Sequence, residues 1–93
     1  MIRGRPRLVA IVPIHNEAPT VLGVLTEVHR RVDRIIAVDD GSTDDTPALL
    51  REWMRGRRGV TVVRLRRNVG MAGALKEGFR SAERLLRRGA LRG

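Results

Sequence analysis

Four consecutive apolar residues, 35–38, lead directly into the acidic and small residues Asp-Asp-Gly-Ser-Thr-Asp at positions 39–44. An apolar run this short that ends in a turn sequence predicts a buried β-strand. We expect this strand to span about residues 34–38, with Asp39 and Asp40 in the loop that follows it. Ligands bind at the carboxyl ends of the strands in an open parallel sheet. The two carboxylates are therefore the first candidates for function.

The same plan of apolar strand, polar loop and amphipathic helix occurs three times along the chain. This β-α-β-α-β-α order predicts an α/β fold with a parallel sheet and right-handed crossovers, one half of a doubly wound architecture. Pro13 cannot donate to a β-ladder, so we place it in the first loop. The expected strands span 8–12, 34–38 and 60–65, and the expected converging loops span 13–17, 39–44 and 66–70.

The last helix carries a regular apolar stripe, which predicts the face that packs on the sheet. Its members are Ala72, Leu75, Phe79, Ala82 and Leu86. The helix before it is expected to begin at Ser42, Thr43 or Asp44, each of which can cap a helix. The third strand is expected to be an exposed edge, which favours self-association or pairing with a partner.

A chain of 93 residues that is 42% hydrophobic predicts one small globular domain. We divide it into a basic leader of residues 1–7, a ligand-binding domain of residues 8–88 and a tail of residues 89–93. The absence of cysteine excludes disulfides and thiolate metal sites. The apolar stretch of residues 8–13 is too short for a signal peptide or a membrane span, so we expect a cytoplasmic protein.

The net charge of +9 is concentrated in the C-terminal part, where residues 55–93 hold twelve basic and two acidic side chains. This distribution suits an anionic ligand, a membrane surface or nucleic acid, and it also suits a helix face in water. With one Phe, one Trp and no Tyr to stack on bases, and no helix-turn-helix or RNA-recognition signature, we expect no nucleic-acid partner.

The motifs of the common nucleotide-binding proteins are absent. After the first strand the chain has Pro-Ile-His-Asn-Glu at 13–17, not the G-x-G-x-x-G of a dinucleotide fold, and no G-x-x-x-x-G-K-[ST] of a P-loop occurs. The third strand ends in Leu65-Arg66-Arg67, not in the aspartate of a phospho-accepting receiver domain.

Three segments in order resemble the family 2 glycosyltransferases. They are Val-Pro-Ile-His-Asn-Glu at 12–17, Val-Asp-Asp-Gly-Ser-Thr-Asp at 38–44 and Arg-Asn-Val-Gly at 67–70, followed by Ala74 and Gly78. The chain is most similar to the polyprenyl-phosphate sugar transferases of the dolichol-phosphate mannose synthase type, over roughly residues 7–85. The resemblance implies a Rossmann-like GT-A fold that binds a UDP- or GDP-sugar with Mg²⁺ or Mn²⁺.

The resemblance also implies roles for individual residues. Pro13 and His15 would line the nucleoside pocket, and Glu17 would hydrogen-bond the nucleotide. Asp40 would accept a hydrogen bond from the base, and Asp39 would orient the loop. The full nucleotide-sugar-binding set is Pro13, His15, Asn16, Glu17, Val38, Asp39, Asp40, Asn68 and Gly70.

These residues also have structural interpretations. The aspartates and Glu17 could serve the next helix, His15 could be an ordinary surface residue, and residues 68–70 could form a plain turn. A non-catalytic nucleotide-binding module therefore remains the alternative to a transferase.

Two departures from the family pattern stand out. Met71-Ala72 stand where relatives often carry a basic residue followed by glycine, which removes one phosphate contact. The D-x-D that binds the metal in the family is absent, so we assign no metal ligand and no catalytic residue. We expect a truncated transferase that is inactive alone, with polyprenyl phosphate as acceptor at the inner face of the membrane and a missing C-terminal partner.

Overall fold

Three strands and three helices alternate along the part of the chain that the structure describes, residues 8–89 of a computed structural model. The basic leader and the tail beyond Gly89 lie outside it. The predicted order is confirmed. The elements are β1 (Val9–Ile14), α1 (Val21–His29), β2 (Arg34–Asp40), α2 (Thr46–Met54), β3 (Val60–Leu65) and α3 (Gly70–Arg87).

The strands form a parallel sheet in the order β1-β2-β3. Among the strands described, β3 is therefore an edge strand, as predicted, and β1 is the other edge strand. Every residue of β2 after Arg34 is buried. Side chains alternate between the faces of a strand, so β2 contributes to two cores. Ile35 and Ala37 pack with α1 and α2, whereas Ile36 and Val38 pack with α3 on the opposite face.

Two strands run further than the sequence predicts, and this corrects the placement of four residues, Pro13, Ile14, Asp39 and Asp40. Pro13 lies within β1, and Asp39 and Asp40 are the last residues of β2 and not part of the loop. The carbonyl of Leu8 accepts from the backbone of Asp33 at 2.8 Å and therefore faces β2. The backbone polar groups of successive residues in a strand point alternately to either side, so those of Pro13 point away from β2. Proline is tolerated there because no N–H is needed on the open side of an edge strand.

The buried face of α3 is not the predicted one. Phe79 is 64% exposed and Leu86 is 59% exposed, whereas Ala74 and Gly78 are buried against the sheet. A Cβ atom at Gly78 would lie 2.3 Å from Cγ2 of Ile11, so the helix lies too close to the sheet for larger side chains there. Of the predicted stripe, Ala82 packs against the sheet, whereas the large side chains of Phe79 and Leu86 remain exposed.

The other two helices form where the sequence predicts them, but they are shorter than predicted. α2 begins at Thr46, and the residue at its cap position is Asp45, which makes no side-chain capping bond, and not one of the candidates Ser42, Thr43 and Asp44. Its core residues Leu50 and Trp53 are buried against α1, where Trp53 Nε1 donates to the Thr26 hydroxyl at 3.0 Å. None of the helices in residues 8–89 has both the length and the apolar character needed to cross a membrane.

Candidate functional site

The three loops that follow the strands meet at the carboxyl edge of the sheet, as predicted. The first and second loops are joined by Asn16, whose backbone N–H donates to the Ser42 hydroxyl at 2.9 Å. Its side-chain oxygen accepts from the backbone N–H groups of Thr43 at 2.8 Å and Asp44 at 3.2 Å. Asn16 adopts a positive φ of 51° to make these bonds, a conformation that Asn tolerates better than most residues.

The second and third loops are joined by Asp40, which is 4% exposed. One carboxylate oxygen accepts from the Val69 N–H at 2.7 Å and the other from the Gly70 N–H at 3.0 Å. These are the first backbone donors of α3, so the carboxylate also lies at the positive end of that helix dipole. Asp40 thus holds the third loop in place, a role beyond its predicted contact with a base.

Asp39 points to the opposite face of the sheet and is 1% exposed. Its Oδ1 accepts from the Ser42 N–H at 3.1 Å, so it contacts the loop that it was predicted to orient. Its Oδ2 is buried and has no hydrogen-bond partner within residues 8–89. A buried unpaired oxygen of this kind is costly, which makes Asp39 a strained point of the site.

Gly41 allows the second and third loops to come into contact. Its φ is +67°, and a Cβ atom there would lie 2.4 Å from the backbone of both Arg67 and Asn68. A left-handed conformation and a close backbone approach are both properties of glycine. The position of the third loop therefore depends on Gly41 as well as on Asp40.

The converging loops enclose a cavity of about 220 Å³. Its wall contains six of the nine predicted site residues, together with Ile14 and Met71, which were not among the predicted site residues. The six are Pro13, His15, Glu17, Asp40, Asn68 and Gly70.

The polar side chains that line the cavity are held in place by hydrogen bonds to neighbouring groups in the structure. His15 Nδ1 donates to the carbonyl of Asp40 at 2.7 Å, which places the ring proton on that nitrogen. Glu17 is exposed, and one of its oxygens accepts from the Thr20 hydroxyl at 3.3 Å. Asn68 Oδ1 accepts from the Gly70 N–H at 2.8 Å and stabilises the turn before α3.

The other three predicted residues lie outside the cavity wall. Asn16 joins two loops, Val38 is fully buried beneath α3, and Asp39 faces the α2 side. The Ser42 hydroxyl was assigned only to helix capping and Thr46 was given no role, yet both hydroxyls accept from the backbone of the first loop, at 2.9 and 3.1 Å. Sequence patterns could not reveal these bonds because the partners are more than 25 residues apart.

Asp44 supports the second loop from outside the cavity. Its Oδ1 accepts from the Thr46 N–H at 2.9 Å and its Oδ2 from the Ala18 N–H at 3.3 Å. Hydrogen bonding, first of all to the Thr46 side chain, lowers the pKa of Asp44 below its ordinary value. The carboxylate therefore keeps its charge, and these bonds, in moderately acidic solution.

A larger cavity of about 320 Å³ lies on the far side of the second loop, between Gly41, Ser42 and the end of β3. It contains none of the predicted site residues. Arg64 and Arg66 line it, so its electrostatic character is cationic. The smaller cavity is the better candidate for a ligand site. Three loops contribute to it, and it is bordered by the carboxylates of Glu17 and Asp40 and by the rings of Pro13 and His15.

The fold and the site together define an α/β domain with a ligand cavity at the carboxyl edge of a parallel sheet. The model of the family described as Glycosyl transferase family 2 matches residues 9–84. The chain belongs to this family, and its three parallel strands and three helices match a fragment of the GT-A fold.

Two curated proteins and one solved structure are similar to the chain. An uncharacterised protein of Methanocaldococcus jannaschii is 35% identical over 77 residues, covering 81% of this chain and 33% of that protein. The uncharacterised glycosyltransferase YaiP of Escherichia coli is 40% identical over 77 residues, covering 78% and 19%. The mannosyltransferase PcManGT of Pyrobaculum calidifontis, in complex with GDP-Man and Mn²⁺, superposes with a TM-score of 0.75 at 32% identity, covering 85% and 25%. The chain thus spans a third or less of each of these proteins.

The described residues do not fit the divalent metal that the family implies. Within residues 8–89, no group of three or more His, Cys, Asp or Glu side chains is close enough together to hold an ion. Hard cations need several oxygen ligands. Asp39 and Asp40 point to opposite faces of the sheet, and the oxygens of Asp40 both accept from backbone N–H groups. No metal ligand is assigned to this part of the chain.

Proposed function

We propose that the chain forms the nucleotide-binding part of a glycosyltransferase that takes a sugar from a nucleotide-diphosphate sugar. The observation that carries the proposal is the cavity where the three loops meet. Six residues that the family pattern assigns to the nucleotide come from separate segments and border this one space. A set of polar and ring side chains that converges in this way suits a ligand site at the carboxyl edge of a parallel sheet.

The wall residues suggest how a nucleoside would bind. Pro13 and the His15 ring offer apolar surface for a base or a ribose, and the bond from His15 to the Asp40 carbonyl holds the ring in place. The exposed Glu17 can accept hydrogen bonds from ribose hydroxyls. Asp40 can accept from a base N–H only with lone pairs that its two backbone bonds leave available.

The sugar, the acceptor and the place of action belong to the same proposal. The GDP-mannose complex of PcManGT supports a GDP-sugar as the donor, with a UDP-sugar as the alternative. The family resemblance supports a polyprenyl phosphate acceptor at the inner membrane face. We further propose that these 93 residues alone transfer no sugar, because the residues described lack a metal-binding group and span a quarter or less of YaiP and PcManGT.

Calorimetric titration of the chain with GDP, UDP and GDP-mannose tests the nucleotide site. Glu17→Gln removes a charge from the cavity wall, and Glu52→Gln removes one from an exposed position on α2 that lies outside it. We expect the first variant to bind GDP about tenfold more weakly, because a bond to a charged acceptor becomes a bond to a neutral one. Equal dissociation constants for the two variants would contradict the assignment.

A non-catalytic nucleotide-binding module is the second candidate, supported by the absence of a clustered metal group in the described part. An assay with GDP- and UDP-sugars and a polyprenyl phosphate separates the two. Transfer that appears when the chain is combined with the remaining part of a family 2 transferase supports the enzyme. Nucleotide binding without transfer in that mixture supports the module.

A further inference from the structure

The cavity between the second loop and the end of β3 contains none of the residues assigned to the nucleotide. Its volume is about 320 Å³, and its wall consists of Gly41, Ser42, Arg64, Leu65 and Arg66. We name it the arginine cavity. Pockets that hold small molecules usually have volumes of about 300–1,000 Å³, so the arginine cavity is large enough for a ligand.

Arg64 and Arg66 bring two guanidinium groups to this cavity, and both side chains are exposed. The ion pairs found within residues 8–89 involve other arginines, at positions 30, 31, 55, 80 and 87. The wall of the cavity contains no acidic side chain from the described part of the chain. The planar guanidinium group matches the oxygens of a phosphate group and can bind two of them at once.

The geometry of β3 explains why the two arginines share one wall. Val62 packs with the core beneath α1 and α2, whereas Leu65 packs with the core beneath α3. Side chains alternate along a strand, so Arg64 lies on the same side as Val62. Residues two positions apart in an extended chain are separated by about 7 Å. This spacing allows Arg64 and Arg66 to reach one phosphate group from two sides.

Ser42 adds a hydroxyl donor to the same wall. It is 7% exposed, and its oxygen accepts from the Asn16 N–H at 2.9 Å. Its own hydroxyl proton has no acceptor among residues 8–89. A hydroxyl can accept one hydrogen bond and donate another, so Ser42 can donate to a phosphate oxygen.

Asp39 is the cross-strand neighbour of Arg64, but it is not part of the cavity wall. It is 1% exposed, and its Oδ2 has no hydrogen-bond partner within residues 8–89, so Arg64 does not pair with it. One buried carboxylate stands against two guanidinium groups. The cavity therefore keeps a positive potential that favours an anion.

We infer that the arginine cavity is a second ligand site, which binds a phosphate group between Arg64, Arg66 and Ser42. The group is inorganic phosphate or the end of a phosphomonoester, free in solution or carried on a lipid headgroup. The second loop separates this site from the nucleotide cavity, because Ser42 borders one and Asp40 borders the other. Binding at the arginine cavity does not depend on the proposed function.

Inorganic phosphate, added to the isotope-labelled chain in phosphate-free buffer, tests the site by nuclear magnetic resonance. We expect saturable shifts of the backbone amide signals of Gly41, Ser42 and Arg66. The double variant Arg64→Gln, Arg66→Gln should bind phosphate at least about tenfold more weakly, because bonds from charged donors are lost. An absence of saturable shifts at the wall of the cavity would overturn the inference.

The matched control is the double variant Arg58→Gln, Arg88→Gln. It removes the same charge from two exposed positions at the opposite edge of the sheet, before β3 and after α3. It should bind phosphate as the native chain does. Equal weakening in the two double variants would show that phosphate responds only to the total charge, and the inference would be wrong.

GDP separates this site from the nucleotide cavity. With phosphate at saturation, GDP should still shift the amide signals of His15 and Glu17. If GDP shifts these signals only when phosphate is absent, phosphate occupies the nucleotide cavity and the inference is wrong. If GDP never shifts them while phosphate still binds at Ser42 and Arg66, the proposed function fails and the phosphate site stands.

Vesicles made of equal parts of phosphatidylcholine and phosphatidic acid distinguish the two sources of the phosphate group. Sedimentation of the chain with these vesicles that is lost in Arg64→Gln, Arg66→Gln and kept in the control supports a site for a lipid headgroup. Phosphate binding without sedimentation that depends on the two arginines supports a site for a soluble phosphate.

Discussion

Replacing Asp40 by Asn tests whether this carboxylate positions the third loop. Asn retains one oxygen acceptor but presents an NH₂ group where the second oxygen accepts from a backbone N–H. Asp40 is 4% exposed and bonds Val69 at 2.7 Å and Gly70 at 3.0 Å. The Gly70 N–H also donates to Asn68 Oδ1 at 2.8 Å, so the Val69 N–H is the donor that depends more on Asp40. A hydrogen bond to a buried charged group contributes about 1.5–3 kcal/mol, and the favourable interaction with a helix N-terminus adds about 0.3–1 kcal/mol.

We therefore expect Asp40→Asn to lower the free energy of unfolding by about 2–4 kcal/mol. In a domain of this size each kcal/mol lowers Tm by about 4–8 °C. Urea denaturation followed by circular dichroism measures the change. Asp45→Asn is the matched control, since Asp45 is exposed and makes no side-chain capping bond at α2. If both variants have the same urea midpoint, the two hydrogen bonds of Asp40 do not hold the loop and our argument fails.

Three further predictions follow from the same structure. Phe79→Ala should change the free energy of unfolding by less than about 0.5 kcal/mol, because the ring is exposed. Gly78→Ala should lower it by about 1–3 kcal/mol, because the added methyl group would crowd Ile11. If urea denaturation shows a larger loss for Phe79→Ala than for Gly78→Ala, the ring is packed on the sheet. Gly41→Ala should lower Tm and weaken GDP binding together, because its Cβ would displace the third loop; an unchanged calorimetric titration would separate that loop from the site. The pKa of Asp44 is lowered in the folded state, so its contribution to stability is complete above the unfolded pKa of about 3.9 and is lost as the pH falls through the folded pKa. Asp44→Asn should therefore reduce the loss of stability at acidic pH. An unchanged loss of stability at acidic pH would contradict this.

The amino-acid sequence alone determined the order of the elements and which loops meet at the carboxyl edge of the sheet. Apolar runs such as Ile35 to Val38 indicate burial directly, because a strand segment covered on both faces favours apolar residues at successive positions. The polar loops after those runs meet because parallel strands end at one edge. Local signals of this kind explain why β3 spans the predicted residues and why six of the residues predicted for the site border one cavity.

The tertiary structure decided which side chains carry which role. Helical periodicity identified one apolar stripe on α3, and only the close approach of Gly78 to Ile11 decided that the neighbouring face with Ala74 and Gly78 packs on the sheet. In the same way, the two backbone bonds of Asp40 and the unpaired oxygen of Asp39 depend on residues distant in the sequence. Distances between segments are set by how the elements pack, and a pattern within one segment carries no information about them.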